Sequence, residues 1–270
     1  MKNSIKLLMV GVVLISAFLG GCKKEDDPVI DYTADLVKIG TMTDNGVKIA
    51  LYADTEIYNA YTKLYVELRD ADSDALIEGA HVTLNPMMDM GTMMHSAPFE
   101  NPASETAVNT LFPCAVVFQM PGEMGWTLEV TVHEHTNGRE ATVTFPISVM
   151  TATVARTHVI TPLDSTAPII ISYVLPSSPQ VGMNDFEITI HQRETMMSFP
   201  GVTDYTVSIE PEMPSMGHGS PNNVNPTHGS DGHYNGQVNF TMTGLWRINL
   251  NIMDGSTPID TTSYFEITFQ

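Results

Sequence analysis

Positions 87–95 read Met87-Met88-Asp89-Met90-Gly91-Thr92-Met93-Met94-His95, five methionines and a histidine within nine residues. At the chain's average of 18 methionines in 270 residues, such a stretch would hold fewer than one. Thioether sulfur is a soft, uncharged donor that suits Cu(I), and imidazole nitrogen serves copper in either oxidation state. A second cluster holds Met213, Met216 and His218, with His228 and His233 behind it around the pliable Gly229-Ser230-Asp231-Gly232. Curled onto one ion, these loops would make copper sites. Methionine is also a flexible gap filler, so the same loops could cap the open end of a fold or make an adaptable contact with a protein partner. No fixed ligand spacing like a zinc finger's separates these readings.

Other groups are weaker candidates. His133-Glu134-His135 puts two imidazoles on one face of a strand, a secondary metal site or a solvated pair. Cys114 stands among apolar neighbours at a strand start and reads as a buried, inert thiol before it reads as a copper ligand. Met196 and Met197 match no motif and are assigned no role. The chain contains no Gly-x-Ser-x-Gly elbow, no His-Glu-x-x-His and no phosphate-binding glycine loop, and no enzymatic activity is expected. Its net charge of −19 would repel nucleic acid and anionic lipid, which excludes DNA or RNA as a partner.

The elements that must position these loops are strands. Apolar and polar residues alternate over 63–68, 127–132, 186–190 and 247–252, the period of a half-buried strand. Turn-forming clusters separate such segments, and no dozen-residue stretch keeps a helical period. The expected fold is all-β, two tandem immunoglobulin-like antiparallel β-sandwiches over 34–150 and 165–270, with 151–164 a linker or last strand. Trp126 and Trp246 are expected to plug the two cores rather than stack on a ligand.

The halves repeat each other. Leu84-Asn85-Pro86-Met87-Met88 matches Ile209-Glu210-Pro211-Glu212-Met213, and His95-Ser96-Ala97-Pro98 matches His218-Gly219-Ser220-Pro221, each followed by Asn-Pro at 101–102 and 225–226. Val117-Phe118-Gln119-Met120 then matches Asn239-Phe240-Thr241-Met242, ahead of Trp126 and Trp246.

The second copy, with Met213-Pro214-Ser215-Met216-Gly217-His218 and the run from Gly232-His233-Tyr234 through Gly244-Leu245-Trp246, resembles the YtkA-like (FixH-related) domain family. That resemblance implies a small immunoglobulin-like sandwich of the bacterial envelope, linked with copper handling and oxidase assembly. The first copy departs from the pattern: Met-Pro becomes Met88-Asp89, and Leu111-Phe112-Pro113-Cys114 replaces the glycine-tyrosine segment.

The amino terminus has a basic head with Lys2 and Lys6, then an apolar run over 7–19 that is short for a membrane span and reads as a secretory signal over 1–21. It ends in Leu19-Gly20-Gly21-Cys22, which resembles the bacterial lipobox, so Cys22 is expected to carry a lipid that anchors the protein to the membrane. The charged Lys23-Lys24-Glu25-Asp26-Asp27-Pro28 opens a tether over 22–33 and resembles the export signal of Bacteroidetes surface lipoproteins. The expectation is an outer-membrane lipoprotein, at the cell surface or on the periplasmic face, that binds copper non-catalytically through Met87, Met88, Met90, Met93, Met94 and His95 and through Met213, Met216, His218, His228 and His233. With its two extra histidines, the second set is expected to take Cu(II) as well as Cu(I). The alternative is an envelope interaction module whose loops touch a protein and hold no metal.

Overall fold

A computed structural model describes residues 30–163 and 167–270. The expected leader, Cys22 and most of the tether lie outside the described residues. Among the described residues, every regular element is a strand. One sheet of the first sandwich runs in the order β1 (Val37–Asp44), β2 (Val47–Ala53), β3 (Tyr61–Asp70), β7 (Leu111–Val117), β6 (Phe99–Glu100). Its partner sheet runs β5 (Met94–His95), β4 (Ala80–Asp89), β8 (Gly122–Glu134), β9 (Glu140–Val149). The second sandwich repeats this order. One sheet runs β10 (Thr157–Ile160), β11 (Ile169–Leu175), β12 (Gly182–Gln192), β16 (His233–Phe240), β15 (Val224–His228). The other runs β14 (His218–Gly219), β13 (Thr206–Met213), β17 (Gly244–Asp254), β18 (Thr257–Asp260), with β19 (Tyr264–Phe269) also on β17. The added strand β18 is the difference between the two. Tyr32–Gln270 forms one compact unit.

Alternation causes these strands. In β9, Ala141, Val143, Phe145, Ile147 and Val149 are buried and the residues between them face solvent, because successive side chains of a strand point to opposite faces. The four segments with alternating sequence behave alike: Leu64, Val66 and Leu68, Leu128, Val130 and Val132, Phe186, Ile188 and Ile190, and Ile248, Leu250 and Ile252 all point inward. Each such side chain contributes about 1.5–3 kcal/mol on burial. They gather into two separate cores, one per sandwich.

The stretch expected as a linker or last strand, 151–164, is divided differently. β10 pairs with β11, so the second sandwich begins at Thr157, ahead of the expected boundary at 165. The first sandwich already ends its sheet on β9, and His158 and Ile160 find their backbone partners only on the far side.

The repeat is physical as well as textual. Phe118, the residue just after β7, and Phe240, the last of β16, stand at matching ends of their strands, and each ring meets a tryptophan, at 5.2 Å for Trp126 and 5.5 Å for Trp246. Each indole Nε1 donates to a matched carbonyl, Met120 at 3.0 Å and Met242 at 2.9 Å. The asparagines of the two Asn-Pro pairs also play one part: Asn101 Oδ1 accepts the Leu84 N–H at 2.8 Å, and Asn225 Oδ1 accepts the Ile209 N–H at 3.1 Å.

Replacing Trp246 with Ala removes the largest fully buried side chain of the second core. Unfolding followed in urea is expected to show a loss of ~3–5 kcal/mol for that sandwich. Trp246→Phe, which keeps a ring but strands the Met242 carbonyl, should lose less; equal losses would mean that the indole hydrogen bond, not the packed volume, dominates.

Candidate functional site

Each methionine cluster forms the tip of a β-hairpin rather than a free loop. β4 continues through Asp89, the chain turns with Met90 N–H donating to the Met93 carbonyl, and β5 returns so that Met88 faces His95 and Asp89 faces Met94. Gly91 makes the turn with φ of 79°, a region that favours glycine, and the Asp89 carboxylate accepts its N–H at 2.7 Å. In the second sandwich β13 and β14 repeat this, with Met213 facing His218 across a turn in which the Gly217 N–H returns to the Met213 carbonyl.

One methionine and one histidine of each hairpin therefore lie together, and both lie on the tryptophan. The His95 and Trp126 rings meet edge to face at 5.5 Å, those of His218 and Trp246 at 5.9 Å. Met88 crosses the start of β8 so closely that a Cβ on Gly125 would stand 2.9 Å from its sulfur. A Cβ on Gly244 would stand 2.6 Å from the Met213 methyl and displace it, and Gly244 has φ of 126°, a backbone conformation that favours glycine. The shared unit is a Met–His–Trp cluster at the end of a sandwich core.

The two histidines differ in how far the fold prepares them. His95 is only 5% exposed, and its Nδ1 lies 2.7 Å from the Ser96 carbonyl. A carbonyl can only accept, so Nδ1 is the donor here, and in the neutral tautomer that makes this bond Nε2 keeps its lone pair. That Nε2 is buried with no hydrogen-bond partner. An imidazole whose far nitrogen is tied to a backbone carbonyl is the arrangement that orients a histidine toward a metal. His218 is half-buried on its tryptophan.

The remaining expected ligands do not converge on these pairs. Met87 is half-buried; Met90, Met93 and Met94 are exposed at the first hairpin, as is Met216 at the second. His228 and His233 belong to the opposite sheet. His228 sits on β15 against the Tyr234 ring at 5.5 Å. His233 opens β16 while Phe240, which touches Trp246, closes it; seven residues of strand separate them by about 23 Å. Of the expected set Met213, Met216, His218, His228 and His233, the structure thus brings together Met213 and His218, with Met216 at the turn, and leaves His228 and His233 on the opposite sheet, where they do not add to this pair. Among the described residues, no group of three or more His, Cys, Asp or Glu could hold a metal ion, so any site here depends on thioether sulfur.

His233 is engaged elsewhere, at the junction of the sandwiches. Its Nδ1 lies 2.6 Å from Glu187 and its Nε2 2.8 Å from Glu100 of the first sandwich, with the Tyr61 ring edge-on at 5.8 Å. Hydrogen bonds to Glu100 and then Glu187 raise its pKa to about 9. Burial pushes the Glu100 carboxyl up, but the bonds from His233 and from Tyr61 outweigh it and hold the group below its usual value. Beside them His191 is buried, which pulls its imidazole down to about 4 and keeps it neutral. No spacing in the sequence joins Tyr61, Glu100, Glu187 and His233.

The weaker candidates resolve simply. The His133 and His135 rings stand 6.2 Å apart, exposed, with His133 3.4 Å from Glu140 and His135 3.6 Å from Glu105. Glu134 between them is buried and takes a bond from Arg139 at 2.9 Å. Cys114 is buried, its thiol pushed up by burial, and its Sγ donates to the Leu64 carbonyl at 3.5 Å. It is an inert core residue.

Residues 168–251 match the YtkA-like family model, which places that domain in the second sandwich. No curated protein matches the chain. Among solved structures, a bacterial integrin-binding invasin is 12% identical with a TM-score of 0.26, the match covering 83% of this chain and 39% of that one. Domains 5–6 of the S-layer protein SbsC are 12% identical with a TM-score of 0.29, over 86% of this chain and 98% of that one.

The junction predicts a pH dependence. His233 has a folded pKa of about 9, above the ordinary imidazole value of about 6.5, so its contribution is complete below about 6.5 and lost as pH rises through about 9. Urea unfolding of the chain is expected to weaken between pH 7 and 9.5, and a His233→Gln variant to lose most of that slope. A variant with an undiminished slope would assign it to other groups.

Proposed function

We propose that this chain is a non-catalytic lipoprotein of a Gram-negative envelope, held by lipid on Cys22, that binds copper through a methionine and a histidine at the end of each sandwich and sequesters or delivers it. The observation that carries this reading is the buried, unpartnered Nε2 of His95, with Nδ1 fixed on the Ser96 carbonyl and Met88 facing it across the hairpin. A buried polar nitrogen without a partner costs about 1–3 kcal/mol, a cost that a ligand would offset. Sulfur beside imidazole favours Cu(I), the softer ion. Met213 and His218 repeat the pair, and the domain that contains them matches the YtkA-like family, whose resemblance implies copper handling.

A second reading has its own support. Met90, Met93 and Met94 stand exposed together on the first hairpin, an adaptable apolar tip suited to an envelope protein partner. In that reading the hairpins hold no metal.

Anaerobic loading of the full chain with Cu(I), followed by competition against a chelator, separates the two. The copper reading expects stoichiometric retention, with about one equivalent lost in a Met88→Leu/His95→Gln variant. Retention of no copper by the native chain would leave the interaction module. Fractionation of cells producing Cys22→Ala tests the anchor: the variant should move from membranes to the soluble fraction.

A further inference from the structure

The edge of the first site is not open. β5 is the outermost strand of its sheet, and the residue that follows its histidine, Ser96, donates its backbone N–H to the Met196 carbonyl at 2.8 Å. Met196 belongs to the second sandwich, on the loop between β12 and β13. That bond lays the Met196 backbone against Ser96, the residue next to His95.

That loop is held in shape. The Gln192 N–H donates to the Pro200 carbonyl at 3.0 Å, the Glu194 N–H to the Ser198 carbonyl at 3.0 Å, and the Met197 N–H to Thr195 Oγ1 at 3.1 Å. Met196 is half-buried while its neighbour Met197 is 53% exposed. The His233 bonds to Glu100 and Glu187 fasten the same two sandwiches a short way along. In the second sandwich the matching edge, beside β14, borders a groove of about 560 Å³ among the described residues, which runs past Pro211, His218, Ser220 and Asn223.

We infer that the first copper site is shared between the sandwiches, with the Met196 thioether of the second joining Met88 and His95 of the first as a third ligand. This rests on copper binding by the hairpins, as proposed for them. Two soft sulfurs and one imidazole nitrogen form a Cu(I) environment, and methionine's three rotatable bonds let its sulfur swing from the loop toward the buried Nε2. The two sites then differ by closure rather than by histidine count: the first is shut by the neighbouring sandwich, the second is open.

The test uses the full chain in detergent with His218→Gln in the background, so that the first site reports alone. Met196→Leu, which conserves volume, is expected to weaken Cu(I) retention at least tenfold against a chelator and to lower by one the sulfur neighbours of copper in X-ray absorption. Met197→Leu should change neither. Undiminished affinity and sulfur count in Met196→Leu overturn the shared site and leave the copper reading standing. Weakened binding with an unchanged sulfur count also overturns Met196 as a ligand. If the background chain binds no copper while the native chain binds one equivalent, copper sits only at His218 and the shared site falls; if neither binds, both readings fall.

Discussion

A tryptophan buried in a β-sandwich has one N–H that must find an acceptor, since an unpaired donor in a core costs about 1–3 kcal/mol. In each half of this protein the acceptor is the carbonyl of a methionine just past the strand that carries the packed phenylalanine, Met120 in one and Met242 in the other. That bond fixes where the chain turns back into the long strand β8 or β17, and with it the level at which the core ends. The methionine–histidine hairpin then has a floor to rest on. His95 and His218 meet the indole edge, and Met88 and Met213 cross glycines whose missing side chains leave room for them. The candidate chemistry is thus mounted on the buried tryptophan that closes each core.

Charge sets the second constraint. With 12 basic side chains against 31 acids, the chain has few cations to spare for its half-buried carboxylates. Where Arg139 is available it serves Glu134 and Asp70. Elsewhere backbone and hydroxyl donors stand in, as around Asp260, which takes bonds from Thr262 and Ser263. At the junction the cation is a histidine held between two acids from different sandwiches. An imidazole in that position gains its proton from the fold, and the fold in turn gains a link that a lone carboxylate pair would oppose. His233 is therefore better understood as a fastener than as a ligand.

Stacking the sandwiches this way gives the two repeats different surroundings from nearly matched sequences. The hairpin edge of the first lies under the β12–β13 loop of the second, whereas the hairpin edge of the second borders an open groove. The two sandwiches have equivalent parts, and position in the chain makes those parts unequal.

The all-β fold, the inward faces of the strands, the repeat and the presence of methionine and histidine together at the end of each sandwich were legible in the sequence because each follows from local rules. Period-two alternation states which face is buried whatever the partner strand, and a turn glycine between two short strands brings their ends together. What the sequence did not determine is which histidines share a site. His218 and His233 are 15 positions apart in the chain, yet lie in opposite sheets with most of a strand's length between their clusters, because a strand converts sequence separation into distance. The start of the second sandwich at β10, the clamp of His233 between Glu187 and Glu100, and the approach of Met196 to Ser96 were decided only in three dimensions. Each depends on how two finished sheets or sandwiches dock, and the contacts that fix docking carry no periodicity along the chain.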